Sequence, residues 1–144
     1  MNAHVAHSVA SRERLRQLLA RLSDEQLAIE LHDGWTVSGS LAHLAFWDRF
    51  VLARWNHYDR EGAMLTLPEP LVDLVNAAAL PQWLAIAPRA AAGMALAAAE
   101  EVDQRISHLS PAAVEAALQS GRSAMIDRSR HRNAHLDQIE QHVQ

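Results

Sequence analysis

The chain has 144 residues, no cysteine and a formal net charge of −4 at pH 7. This length is typical of one globular domain, so we expect a single domain over residues 1–144 with an ordinary hydrophobic core. The lack of cysteine excludes disulfide bonds and thiolate metal ligands, and the acidic balance argues against a nucleic-acid partner.

No part of the sequence predicts export or membrane insertion. The first charges of the chain follow no apolar run, so no signal peptide is visible. The longest apolar region, Ala85 to Ala99, is interrupted by Pro88, Arg89 and Gly93 and is too short to span a bilayer. We therefore expect a cytoplasmic protein with no membrane partner.

Apolar residues recur at helical spacing through the first half of the chain. Leucines predict a helix from about Ser8 to Leu22, and the capping-box sequence Ser23 to Gln26 predicts one further turn. The dipeptide Asp33-Gly34 interrupts this pattern. A second long helix is predicted from about Ser38 to Asp59.

Prolines divide the second half of the chain. The segment 62–81 contains three of them and is predicted to be an irregular connection. A helix is predicted from about Pro81 to His108, with Pro88 as its alternative start or as a kink. Ser110 and Pro111 fit the N-cap and first position of a short helix.

The last helix is predicted from about Ala124 to the C-terminus. No segment has the alternating polar and apolar residues that indicate a β-strand. The sequence therefore predicts the all-α class, as an antiparallel bundle of four main helices around one core.

Three histidines form the most informative pattern. His131 and His135 are four residues apart on the last predicted helix, so their imidazoles lie one turn apart on one face. His43 shares a face of the second long helix with Trp47 and Arg54 and is expected to point inward. Three imidazole ligands would leave a coordination position open, as in catalytic rather than structural metal sites.

A structural interpretation of the same residues stays open. Nine histidines in a chain of this length often give a pair at this spacing by chance, and His43 could be an ordinary core histidine. If the site exists, we expect Asp127, one turn before His131, to accept a hydrogen bond from its second ring nitrogen, with Asp48 as the alternative. The remaining histidines are assigned to the surface or to the end of the last helix: His4, His7, His32, His57, His108 and His142.

Arginines cluster around the start of the last helix, at Arg122, Arg128, Arg130 and Arg132. No aromatic residues interleave with them, so a solvated helical face is the default interpretation and nucleic-acid binding is not expected. One of these arginines could hold an anionic substrate near the metal.

Three segments resemble the DinB-like four-helix-bundle superfamily, which includes the N-terminal domain of mycothiol-dependent maleylpyruvate isomerase. They are Leu22 to Leu27, Asp33 to Asp48 and His131 to Glu140. In that family, one histidine of the second helix and an HxxxH pair of the last helix bind a divalent metal. The resemblance implies that His43, His131 and His135 do so here.

Characterised members of the family resemble thiol-dependent transferases and isomerases that use glutathione, mycothiol or bacillithiol. The resemblance therefore implies Zn²⁺ or Ni²⁺, a low-molecular-weight thiol, a small-molecule substrate and a homodimer. Because the chain lacks cysteine, the sulfur must come from the thiol cofactor. Helical facing favours Asp48 as a group that orients a ligand or transfers a proton, and Arg54 as a carboxylate-binding residue.

Two other functions stay open. The same three histidines would serve a hydrolase, in which metal-bound water is the nucleophile. The chain could also be a non-enzymatic bundle that binds a small molecule or forms a dimer. Its four tryptophans could contribute apolar contacts there, although tryptophans at helical spacing are more often core residues.

Overall fold

A computed structural model describes residues 2–143, and over this range the chain forms seven α-helices, one 3₁₀ turn and one two-stranded sheet. The helices are α1 (Ala3–Arg21), α2 (Asp24–Leu27), α3 (Val37–Glu61), α4 (Glu69–Leu84), α5 (Pro88–Ser107), α6 (Pro111–Gln119) and α7 (Ser129–His142). The sheet pairs β1 (Glu30–His32) with β2 (Trp35–Thr36), and the 3₁₀ turn is Ser123–Met125. The all-α class is confirmed, and α4 is added to the four main helices and two short ones that were predicted.

Four of the long helices surround the core. Helix α1 packs against α5 and α7, and α3 packs against the same two helices. Leucines of α1 and α3 meet Leu136 and Ile139 of α7 in the larger core cluster, and α5 contributes the small side chains of Ala92, Ala95 and Ala99. Small residues let helix axes approach closely, so the alanine-rich helix lies next to α3.

Capping residues define several helix ends as predicted. Ser23 and Gln26 form the capping box of α2, with both reciprocal hydrogen bonds present. Thr36 caps α3 by accepting from Gly39 N at 3.0 Å. Ser110 caps α6 in the same way.

The segment predicted to be irregular contains a helix instead. Helix α4 begins at Glu69 and includes Pro81 near its end, so the predicted connection 62–81 is wrong over most of its length. Pro68 is the N-cap and Pro70 lies in the first turn, where a missing N–H breaks no helical hydrogen bond. Helix α5 consequently begins at Pro88 rather than at Pro81.

The hairpin β1–β2 was also not predicted, because strands of two and three residues are too short to show alternation. Asp33 and Gly34 connect its strands with φ of 43° and 82°. Asp-Gly is favoured in such turns because both central residues need positive φ. Among the described helices, none combines the length and apolarity needed to cross a membrane.

Candidate metal centre

The three predicted histidines lie together where α3 meets α7. The ring of His43 is 5.1 Å from that of His131 and 4.6 Å from that of His135, between centroids, and the two rings of α7 are 4.9 Å apart. Nε2 of His43 is 3.1 Å from Nε2 of His131. One nitrogen of each ring lies within 4.8 Å of the other two.

Aromatic side chains hold the ring of His43 in place. Trp35 of the hairpin and Trp83 of α4 each meet it edge-on at 5.3 Å. His43 is only 6% exposed. The hairpin and α4, which were absent from the prediction, therefore fix the ring of His43.

Burial keeps all three rings neutral. It lowers the pKa of His43 to about 3, with the charge of His135 as the next cause. Burial, then the Arg128 guanidinium, lowers the pKa of His131 to about 2. Burial, then His32, lowers the pKa of His135 to about 4. Neutral imidazole is the form that binds metal, so no proton has to be displaced from these rings at neutral pH.

The second nitrogens of the rings have different surroundings. Nδ1 of His135 lies 3.3 Å from Ser40 Oγ, and Nδ1 of His131 accepts from Arg128 Nη2 at 3.3 Å. Within residues 2–143, Nδ1 of His43 is buried and makes no hydrogen bond of normal geometry, although the nearby Asn76 side chain opposes the lowering of its pKa. A buried polar atom without a partner costs on the order of 1–3 kcal/mol, which is more often accepted at functional sites than in plain core.

The donor set fits a divalent metal. Two nitrogens on one tetrahedral Zn²⁺ are roughly 3.3 Å apart when each Zn–N bond is about 2.0–2.1 Å, close to the 3.1 Å between the two Nε2 atoms. Three neutral nitrogens suit Zn²⁺ and Ni²⁺ alike. His43, His131 and His135 could hold such an ion at the wall of a cavity.

That cavity has a volume of about 620 Å³ and opens between α3, α4 and α7. Trp47 and Asn76 form part of its wall, and Trp47 Nε1 donates to Asn76 Oδ1 at 2.8 Å, which ties α3 to α4. The other lining residues besides the three histidines are His32, Trp35, Ser40, Glu69, Val72, Ala124 and Arg128. A cavity of this size can take a small organic ligand beside the metal.

Sequence similarity identifies the family of this chain. Residues 8–142 match the family model of the DinB superfamily. The chain belongs to the DinB superfamily. No curated protein and no solved structure matches the chain. DinB membership therefore rests on a match that includes both histidine-bearing helices, α3 and α7.

The two residues predicted to be catalytic lie outside the lining of the cavity in this DinB protein. Asp48 is buried behind Arg128 and accepts from its Nε at 2.8 Å. Arg54 donates from Nε to the carbonyl of Leu65 at 2.8 Å, and burial, then Arg122, lowers its pKa. Their catalytic roles stay predictions.

One predicted contact is wrong. Asp127 accepts from Ser129 N at 2.8 Å and lies 3.3 Å from His7 Nδ1, instead of accepting from His131. The cause is that α7 begins only at Ser129, so Asp127 precedes the helix and is not one helical turn below His131.

Sequence analysis did not place Ser40 or His32 at the candidate site, and it named Arg128 only as one of four arginines that could hold an anionic substrate near the metal. Ser40 lies three positions before His43 on α3, and Arg128, the N-cap of α7, lies three positions before His131, a spacing that places each beside that histidine. This signal was present in the sequence. His32 is exposed, as predicted, but it also lines the cavity, because the hairpin places it there.

Proposed function

We propose that this DinB-superfamily protein is a divalent-metal-dependent enzyme that transfers or isomerises a small substrate with the help of a low-molecular-weight thiol. The observation that carries the proposal is the convergence of three neutral, mostly buried imidazoles on one point of an open cavity. His43, His131 and His135 would hold Zn²⁺ or Ni²⁺. A bound ion of this kind supplies Lewis acidity, which lowers the pKa of a coordinated thiol or water.

The pKa values favour metal binding over acid–base catalysis by the histidines themselves. A general base works best when its pKa is near the operating pH. Burial lowers the pKa of each ring to about 4 or below, so none of them would exchange protons efficiently at neutral pH. The histidines are better suited to be ligands.

The chain's other cavity residues would bind and orient the ligands. Trp35 and Trp47 offer apolar surface for a small organic group, and Asn76 offers an amide. Ser40 would orient His135 through Nδ1. The chain has no cysteine, so a thiol used in the reaction must enter this cavity from solution.

The first test is elemental analysis of protein purified without a histidine tag. We expect about one equivalent of divalent metal per chain, and its loss in His131→Ala/His135→Ala. The matched control is His108→Ala/His142→Ala, which removes two exposed histidines and should leave the metal content unchanged. Absence of metal after dialysis against Zn²⁺ and Ni²⁺ would contradict the proposal.

The reaction class is tested next with the metal-loaded protein. We expect transfer or isomerisation of electrophilic substrates that depends on glutathione, mycothiol or bacillithiol and is lost with a chelator. Metal-dependent turnover that needs no thiol would instead identify a hydrolase, since the same ligands can serve activated water.

A further inference from the structure

Arg128 is a buried cation in the wall of the metal cavity. Its side chain is 6% exposed, and all three guanidinium nitrogens make contacts. Nε donates to Asp48 Oδ1 at 2.8 Å, Nη1 donates to the Ala124 carbonyl at 3.2 Å, and Nη2 lies 3.3 Å from His131 Nδ1.

The contact between Arg128 and His131 determines where the ring proton lies. A guanidinium has only donors, so Nδ1 of His131 must be the acceptor. The neutral ring of His131 therefore carries its proton on Nε2, and that N–H faces Nε2 of His43 at 3.1 Å.

This arrangement cannot persist when His131 is a metal ligand. If His131 ligates through Nε2, its proton moves to Nδ1, and two donors then face each other across the contact with Arg128. If it ligates through Nδ1, it needs the lone pair that Arg128 Nη2 occupies. In both cases the Nη2 group of Arg128 loses its acceptor.

Arg128 nevertheless stays at the cavity wall, because Asp48 holds it there. Asp48 is itself anchored from behind by Arg132 Nη2 at 3.4 Å, and Arg132 is paired with Asp103 through both Nη atoms. The freed N–H groups thus remain in a buried position that opens onto the cavity. A charged donor left there without an acceptor is costly.

The cavity itself offers little to satisfy this donor. Among its lining residues, Glu69 is the one carboxylate, and it is exposed on α4. Because Asp48 already balances the charge of Arg128, the divalent cation alone exceeds the charge of Glu69 by one positive unit. An anionic ligand would satisfy both the donor and the charge.

We propose that Arg128 is the specificity-determining residue of the site, which binds a carboxylate group of the ligand that enters the metal cavity. The inference rests on the proposed function, because Arg128 is released only when His131 ligates. The substrate class is then a small molecule with a carboxylate, carried either by the thiol or by the second substrate. Asp48 is the positioning residue that aims the guanidinium.

The test measures binding of 3-mercaptopropionate and its uncharged amide to the Co²⁺-loaded protein, through the cobalt–thiolate absorption. A charge-assisted hydrogen bond predicts that the wild-type protein prefers the carboxylate by roughly tenfold or more. Arg128→Met should abolish this preference. Arg130→Met removes the same charge from an exposed position on the same helix and should keep it.

A second arm distinguishes the two sources of the carboxylate. Propionate and propionamide are compared as competitors while neutral 2-mercaptoethanol saturates the metal. A preference for propionate assigns Arg128 to the second substrate, and a preference in the thiol series alone assigns it to the thiol. Equal binding in both series overturns the inference, although metal uptake would still support the proposed function.

Two further outcomes are decisive. If the preference for 3-mercaptopropionate survives in Arg128→Met, the carboxylate binds the metal itself and the inference is wrong. If Arg128→Met does not fold, the ¹⁵N resonances of the imidazole and guanidinium groups are measured in the wild-type protein instead. Without metal, the ring proton of His131 should lie on Nε2, and with Zn²⁺ it should lie on Nδ1. Adding a carboxylate should then shift the guanidinium resonances of Arg128. Unshifted guanidinium resonances overturn the inference.

Discussion

Ser40 and Arg128 contact two histidines of the candidate site with different hydrogen-bonding abilities. A hydroxyl can donate or accept, so Ser40 can pair with His135 Nδ1 whether or not the ring binds metal. Arg128 can only donate and pairs with His131 only in the metal-free state. Ser40 can therefore pair with its histidine with or without bound metal, whereas Arg128 can do so only without metal.

This difference predicts that Ser40→Ala weakens metal binding. Removing a partner of the second ring nitrogen typically costs about 10–100-fold in metal affinity, and the low end applies to a contact of 3.3 Å. The measurement is a competition titration of Zn²⁺ against a chromophoric chelator. Ser8→Ala, another buried serine, lies away from the cavity and is the control. Equal affinities of Ser40→Ala and the control would contradict the prediction.

At the scale of elements, the sequence predicted the parts of the fold that depend on local signals. The capping box at Ser23, the cap at Ser110 and the helical face of His43 are all confirmed, because each depends on residues within one or two turns. The HxxxH pair likewise needs only one helix to be brought together.

The missed elements depend on contacts between distant residues. Helix α4 contains two prolines, and its Trp83 is buried beside Ala42 of α3 and Ala91 of α5, so tertiary packing stabilises a segment with weak local signals. The hairpin has too few residues to show a pattern. Both elements form walls of the cavity, so the residues that they contribute to the candidate site were not predictable.

Substitutions at two glycines test whether the hairpin turn requires the positive φ of Gly34. Gly34 has φ of 82°, a region that costs other residues about 1–2 kcal/mol, so Gly34→Ala should destabilise the protein by roughly that amount. Gly93 lies inside α5 with open space around it, so Gly93→Ala should stabilise by about 0.5–1 kcal/mol. Urea denaturation measures both free energies of unfolding. Changes of the same sign would contradict the argument.

At the scale of the whole molecule, a largely buried chain of charges connects four helices behind the candidate metal centre. Arg12 of α1 and Arg132 of α7 both donate to Asp103 Oδ2 of α5 at 3.0 Å, and Arg132 continues to Asp48 of α3. Without Arg132, Asp48 keeps Arg128 and Asp103 keeps Arg12, so the cost is that of lost charged hydrogen bonds, about 1.5–3 kcal/mol, rather than that of an unpaired buried charge. Arg132→Met should therefore lower the free energy of unfolding by that amount, whereas exposed Arg130→Met should change it little. Equal urea midpoints for Arg132→Met and Arg130→Met would contradict this prediction.

The three histidines also make the stability of the metal-free protein depend on pH. Unfolded histidines bind protons below about pH 6.5, whereas burial holds the folded pKa values at about 3, 2 and 4 for His43, His131 and His135. Between these limits the unfolded state binds more protons, so stability is greatest above pH 6.5 and falls as the pH falls toward 4.

Each ring contributes at most about 1.4 kcal/mol per pH unit to this slope. In EDTA, the free energy of unfolding should therefore decrease from pH 7 to pH 5 more steeply for the wild-type protein than for His131→Leu/His135→Leu, whose apolar side chains cannot bind protons. Carboxylates contribute equally to both proteins and cancel in the comparison. Parallel curves would mean that the rings titrate normally in the folded protein, and the argument for neutral ligands at a buried centre would then be lost.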